Sequence, residues 1–293
     1  MVEVNLVGHK WQFKARFRAN ANGWRDSKLA TGRLKEAVAE IKAVVKADAV
    51  EAGEGVDSLM ERVWPALQGI DTSSGAVRLA LEEIIPILAR SGVDHDTTAN
   101  YLERLFAAVQ DDGVEYLGPV VDRWGEIARY PDLINDCADR LLPLVCRAWA
   151  DHQTFSHMTG TVICLSYLLE AGRYTELFEL LATPKMKFWP WHPFGAESLL
   201  RQGLWEAAIA FAEAARDTTN PDHFGNRIDR FCEAILIGQG RSDEAYRTYG
   251  LRAATGTTNL AIYRSLVRAY PDRDRRRMLQ NLIESRGDSW TPR

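Results

Sequence analysis

Side chains able to do chemistry are scattered along these 293 residues rather than grouped. His152 and His157 are five positions apart, so they do not share a helical face as a metal-binding i, i+4 pair would. No H-E-x-x-H occurs, and His9, His95, His192 and His223 stand alone. Cys137, Cys146, Cys164 and Cys232 are widely separated with no C-x-x-C, which predicts reduced core thiols rather than disulfides or metal ligands. There is no G-x-S-x-G elbow, and Ser73-Ser74-Gly75 reads as a helix cap. No Walker A sequence and no G-x-G-x-x-G after a strand is present, so nucleotide binding has no local support. Glu82-Glu83 and Asp111-Asp112 read as solvated surface. No catalytic residue, metal ligand or cofactor is predicted; an enzyme here would have to assemble its site from residues distant in sequence.

Two stretches carry binding chemistry. The first is Lys185-Met186-Lys187-Phe188-Trp189-Pro190-Trp191-His192-Pro193-Phe194. Its aromatics Phe188, Trp189, Trp191 and Phe194 are either a recognition surface for a protein partner or packing between neighbouring helix pairs. The second is basic charge near both ends. Lys10, Lys14, Arg16, Arg18, Arg25, Lys28, Arg33 and Lys35 face a single acid, Asp26, over residues 10–35. Arg273, Arg275, Arg276 and Arg277 sit where the last helix opens, although the helix dipole disfavours cations there. Lys14, Arg16 and Arg18, interleaved with Trp11, Phe13 and Phe17, and Arg275, Arg276 and Arg277 are the candidate nucleic-acid contacts. The competing reading is a solvated face with internal ion pairs.

The elements that must position these residues are helices. With 46% hydrophobic and 26% charged residues the chain has the composition of a soluble globular protein. Its net charge of −4 argues against a bulk nucleic-acid binder. No apolar run approaches the roughly 18 residues of a membrane span. Met1-Val2-Glu3-Val4-Asn5 lacks the basic-then-apolar order of a secretory signal, so a cytoplasmic location is expected. Residues 1–26 are expected as an extended arm or a small hairpin packed on helices, because Trp11, Phe13, Ala15 and Phe17 alternate with polar neighbours and no clear strand partner appears apart from Val2–Val7. From Ser27 the period becomes helical. About six helices fill residues 27–150, among them Glu54–Leu67, one running from the Asp71–Gly75 loop to Ala89 or Arg90 with a kink at Pro86, Thr97–Gln110, Tyr116–Ala128 and Leu133–Trp149. Residues 151–293 continue this region, ending with helices Asn259–Tyr270 and Arg275–Arg286.

Within that second region three Gly-centred turns recur, at Gly172, Gly203 and Gly240, 31 and 37 residues apart. Each follows one apolar helix and precedes another, with Tyr174 or Trp205 two residues on, and Leu177, Ala208 or Ala245 five residues on. Residues 155–255 thus resemble the tetratricopeptide repeat, whose consensus places Gly, then Tyr at plus two and Ala at plus five; Ser242 departs from it. The resemblance implies an all-α solenoid of antiparallel helix pairs, tetratricopeptide- or HEAT-like, that binds a protein or peptide. Phe13–Arg18, Gly23-Trp24-Arg25 and Leu34–Lys42 are similar to bacterial proteins of uncharacterised function, which implies a bacterial source. The function expected first is therefore a non-catalytic scaffold for a protein or peptide. A helical nucleic-acid binder using the basic ends is the alternative, and an enzyme subunit without a recognisable motif is a further one.

Overall fold

The computed structural model describes residues 9–19, 21–71, 75–150, 160–183, 188–217 and 224–286, and every regular element among them is helical. None of these helices is long and apolar enough to cross a membrane. Val2–Val7, Ser73-Ser74, His152, His157, Lys185–Lys187 and His223 lie outside the described residues. The chain divides into two compact units, Met1–Leu177 and Phe178–Arg293.

The first unit opens on a 3-10 turn, Gln12–Ala15, where the alternation had predicted an extended strand. Trp11, Phe13 and Phe17 are buried, but Ala15, which a strand would bury beside them, is exposed. Glu40 fixes the turn by accepting the backbone N–H groups of Gln12 (2.9 Å) and Phe13 (3.3 Å). Helix α1 (Ser27–Val45) buries the stripe Ala30, Leu34, Ala37, Val38 and Ile41. Helix α2 (Ala49–Leu67) starts under Asp48, whose side chain accepts the Glu51 N–H at 2.9 Å. Gly55 sits in mid-helix because Trp11 occupies the space of a side chain: a Cβ there would come within 2.4 Å of the indole.

The kink expected at Pro86 is a full break between α3 (Ala76–Glu82) and α4 (Ile85–Ala89), with Pro86 in the first turn of α4, where its missing N–H costs nothing. Asp94 caps α5 (His95–Asp111). The single helix expected over Tyr116–Ala128 is two short ones, α6 (Gly118–Asp122) and α7 (Trp124–Ala128). Then come α8 (Pro131–Ala150) and α9 (Gly160–Glu170), packed along each other. The thiols are only half core: Cys164 and Cys232 are buried, Cys137 is partly covered and Cys146 is exposed.

Helix α10 (Tyr174–Ala182) runs across the division of the chain. The second unit continues with a 3-10 turn (Trp189–Trp191), α11 (His192–Arg201), α12 (Trp205–Ala214) and α13 (Gly225–Gly238). Next are α14 (Ser242–Ala245), a π-helical turn (Tyr246–Gly250), α15 (Leu251–Ala253), α16 (Asn259–Ala269) and α17 (Arg275–Arg286). Gly172, Gly203 and Gly240 end their helices with φ of +68°, +74° and +74°. All three close the same pair of backbone bonds, Gly203 N–H to Leu200 C=O and Leu204 N–H to Leu199 C=O in the middle one, which is the Schellman arrangement. Leu177, Ala208 and Ala245, five residues on, are fully buried. The aromatics at plus two are less covered: Trp205 is 43% exposed and Tyr174 is half-buried.

Candidate arginine-lined binding cleft

The second unit is richer in cations than the first. Residues 178–293 hold seventeen Lys and Arg against fourteen Asp and Glu, while residues 1–177 hold nineteen against twenty-six. Several arginines of the second unit are used internally. Arg216 grips Glu213 and reaches Asp229 at 2.6 Å; Arg252 also bonds Asp229, a carboxylate that is buried between them. Arg241 forks onto Glu244 at 2.7 and 2.8 Å and contacts Glu206; Arg273 pairs with Asp243 and lies over the Tyr246 ring at 4.1 Å. Such bidentate and stacked arrangements are what guanidinium does better than ammonium.

Arg230 and Arg268, like Arg264 and Arg275–Arg277, are not so used. Both are exposed, and neither closes an ion pair or hydrogen bond among the described residues. They line an open cleft of about 280 Å³ formed by α13, α15, the end of the π-helical turn and α16. Small residues make its wall: Gly250, Ala253, Ala254 and Ala269. Gly250 is held small by Tyr270, whose ring would stand 3.1 Å from a Cβ placed there. Tyr270 is in turn fixed, edge-on to Tyr246 at 5.0 Å and donating its hydroxyl to Glu233 Oε1 at 2.6 Å.

Glu233 is the acceptor in this cleft. Burial pushes its carboxyl above the ordinary range, against the Tyr270 hydrogen bond and the nearby Arg230 charge, which both hold it down. Its second oxygen receives no hydrogen bond among the described residues. The cleft thus offers two guanidinium donors and one half-buried carboxylate over a small-residue wall. Its volume falls near the lower end of small-ligand sites.

The residues singled out from sequence lie elsewhere. Trp189, Trp191 and Phe194 are buried, Trp191 to 2%, with Trp189 edge-on to Phe231 at 5.5 Å and the half-buried Phe188 against Phe224 at 5.4 Å. Of the two readings, recognition surface or packing between helix pairs, this burial fits the packing one. In the first unit Arg16 pairs with Glu36, Lys14 is half-buried and Arg18 is exposed, while Trp11, Phe13 and Phe17 are buried and present no ring to a base. Arg275, Arg276 and Arg277 remain exposed at the start of α17, with no ion pair among the described residues. Asp274 precedes them and accepts the Arg277 N–H at 2.6 Å, supplying the negative charge that this helix terminus favours.

Sequence reasoning missed Arg230, Arg268 and Glu233. The signal that was there is modest: Arg230 and Glu233 one turn apart on α13, and Arg264 and Arg268 one turn apart on α16. Nothing in the chain marked those two helices as neighbours. Comparison with protein-family models, curated proteins and solved structures found no match to this chain.

Proposed function

We propose that this protein is a helical-repeat scaffold, its Gly-centred turns joining antiparallel helix pairs in tetratricopeptide-like fashion, and that it binds an acidic segment of a protein partner in the cleft of its second unit. One observation carries the reading. Arg230 and Arg268 close no ion pair or hydrogen bond among the described residues, and both line one small-residue cleft with Glu233. Two guanidiniums facing solvent across a small-residue wall complement carboxylates, and each charge-assisted bond to a ligand is worth about 1.5–3 kcal/mol. The test is fluorescence anisotropy with acidic, neutral and basic peptides of equal length. The acidic peptide should bind best, and Arg230→Ala or Arg268→Ala should each weaken it at least tenfold. Equal affinity for all three peptides, or indifference to both substitutions, would remove the reading.

A second reading has its own support. Arg275, Arg276 and Arg277 are three adjacent exposed cations without an ion pair among the described residues, which suits phosphate contact by nucleic acid.

A further inference from the structure

The cleft is not simply cationic. Glu233 lines it with one oxygen committed to Tyr270 and the other without a hydrogen bond among the described residues, and burial makes an unneutralised charge there costly. A ligand that brings only negative charge gains at Arg230 and Arg268 but meets Glu233 as a like charge. A ligand with a cation beside its carboxylate satisfies all three groups. In a peptide the chain's amino terminus supplies that cation, and an acidic residue at the first or second position puts a carboxylate within reach of it. The small volume, about 280 Å³, also favours a chain end over a strand passing through.

The geometry points to a cleft that receives the free amino terminus of an acidic segment, the α-ammonium at the open oxygen of Glu233 and the acidic side chain between Arg230 and Arg268. This rests on the acidic-segment reading above and names which part of the segment enters. It is tested on the full chain with three peptides labelled at the carboxyl end. One begins Asp-Glu with a free amine, one is the same peptide N-acetylated, and one carries the Asp-Glu pair internally. Binding is read by anisotropy, with thermal melting of each variant as the fold control. The free-amine peptide should bind at least tenfold tighter than the other two. Glu233→Gln, which keeps an amide oxygen to accept from Tyr270, should erase most of that difference while leaving the Arg230 and Arg268 dependence. If the acetylated peptide binds as tightly as the free one and both still require the arginines, the amino-terminal assignment is overturned and the acidic-segment reading stands. If no acidic peptide binds, both fall.

Discussion

Asp57 in α2 shows how one residue can set the pH behaviour of a unit. Its side chain is 0% exposed. Arg104 of α5 is its charge partner, yet neither carboxylate oxygen receives a hydrogen bond among the described residues. Desolvation dominates: with Glu61 and Glu54 adding repulsion and Arg104 opposing it, the carboxyl is pushed up to about 7 from 3.8. The folded state therefore holds this proton more tightly than the unfolded chain. Its contribution to stability is full below about pH 4 and is lost as pH rises toward 7, by about 4 kcal/mol in all. Asp57→Asn should flatten the stability–pH curve between pH 4 and 7 relative to the wild type, with urea unfolding at a series of pH values as the measurement. Superimposable slopes for the two proteins would show that Asp57 does not titrate in this window. None of this was legible in the sequence, where Asp57 follows Glu51 and Glu54 and precedes Glu61 as one more acid on a charged helix. Burial is a property of the α2–α5 packing, and the local pattern does not contain it.

At the scale of elements, legibility followed how local the cause was. The three Gly turns were readable because the left-handed conformation is a demand of a single residue, and the structure places all three in it. The start of α1 at Ser27 and the span of α17 were readable for the same reason, through local periodicity. Gln12–Ala15 was misread because a window of a few residues cannot separate period two from a turn. The spacing of Trp11, Phe13 and Phe17 satisfies both, and only contact with α1 and α2 decides between them. The break at Glu83-Ile84 and the π-helical turn were likewise invisible, since tertiary packing chooses them. The Gly argument makes a paired prediction. Gly240 has φ of +74° with open space around it, so Gly240→Ala meets no clash and pays only backbone strain, about 1–2 kcal/mol. Gly238, two residues earlier, ends α13 without a left-handed φ and also faces open space, so Gly238→Ala should be neutral or stabilising by up to about 1 kcal/mol. The Gly240 variant should melt below the wild type and the Gly238 variant no lower than it; an equal loss in both would mean that conformational strain does not govern this turn.

At the scale of the molecule, the net charge of −4 conceals a division that matters for any polyanion. The first unit carries the acidic excess and the second the basic one. Bulk charge argued against nucleic acid from sequence, but a ligand is met by a surface and not by a sum. Within the second unit, Arg275, Arg276 and Arg277 form the densest run of exposed cations, and they lie on a different helix from the cleft arginines. The two binding readings are therefore separable on the intact chain. Phosphate contact releases counterions, so each contacted phosphate adds about −0.9 to the slope of log K against log salt on duplex DNA and about −0.7 on single strands. If the α17 arginines bind nucleic acid, replacing all three with Ala should shallow that slope by up to about 3 on duplex, measured by mobility shift across a salt series, and should leave acidic-peptide binding unchanged. Arg230→Ala and Arg268→Ala should do the reverse. A wild type that shifts neither DNA nor RNA at low salt rules out the nucleic-acid reading. A triple variant that loses the acidic peptide would instead merge the two sites into one basic surface, and the cleft would no longer stand apart as the place where the partner is chosen.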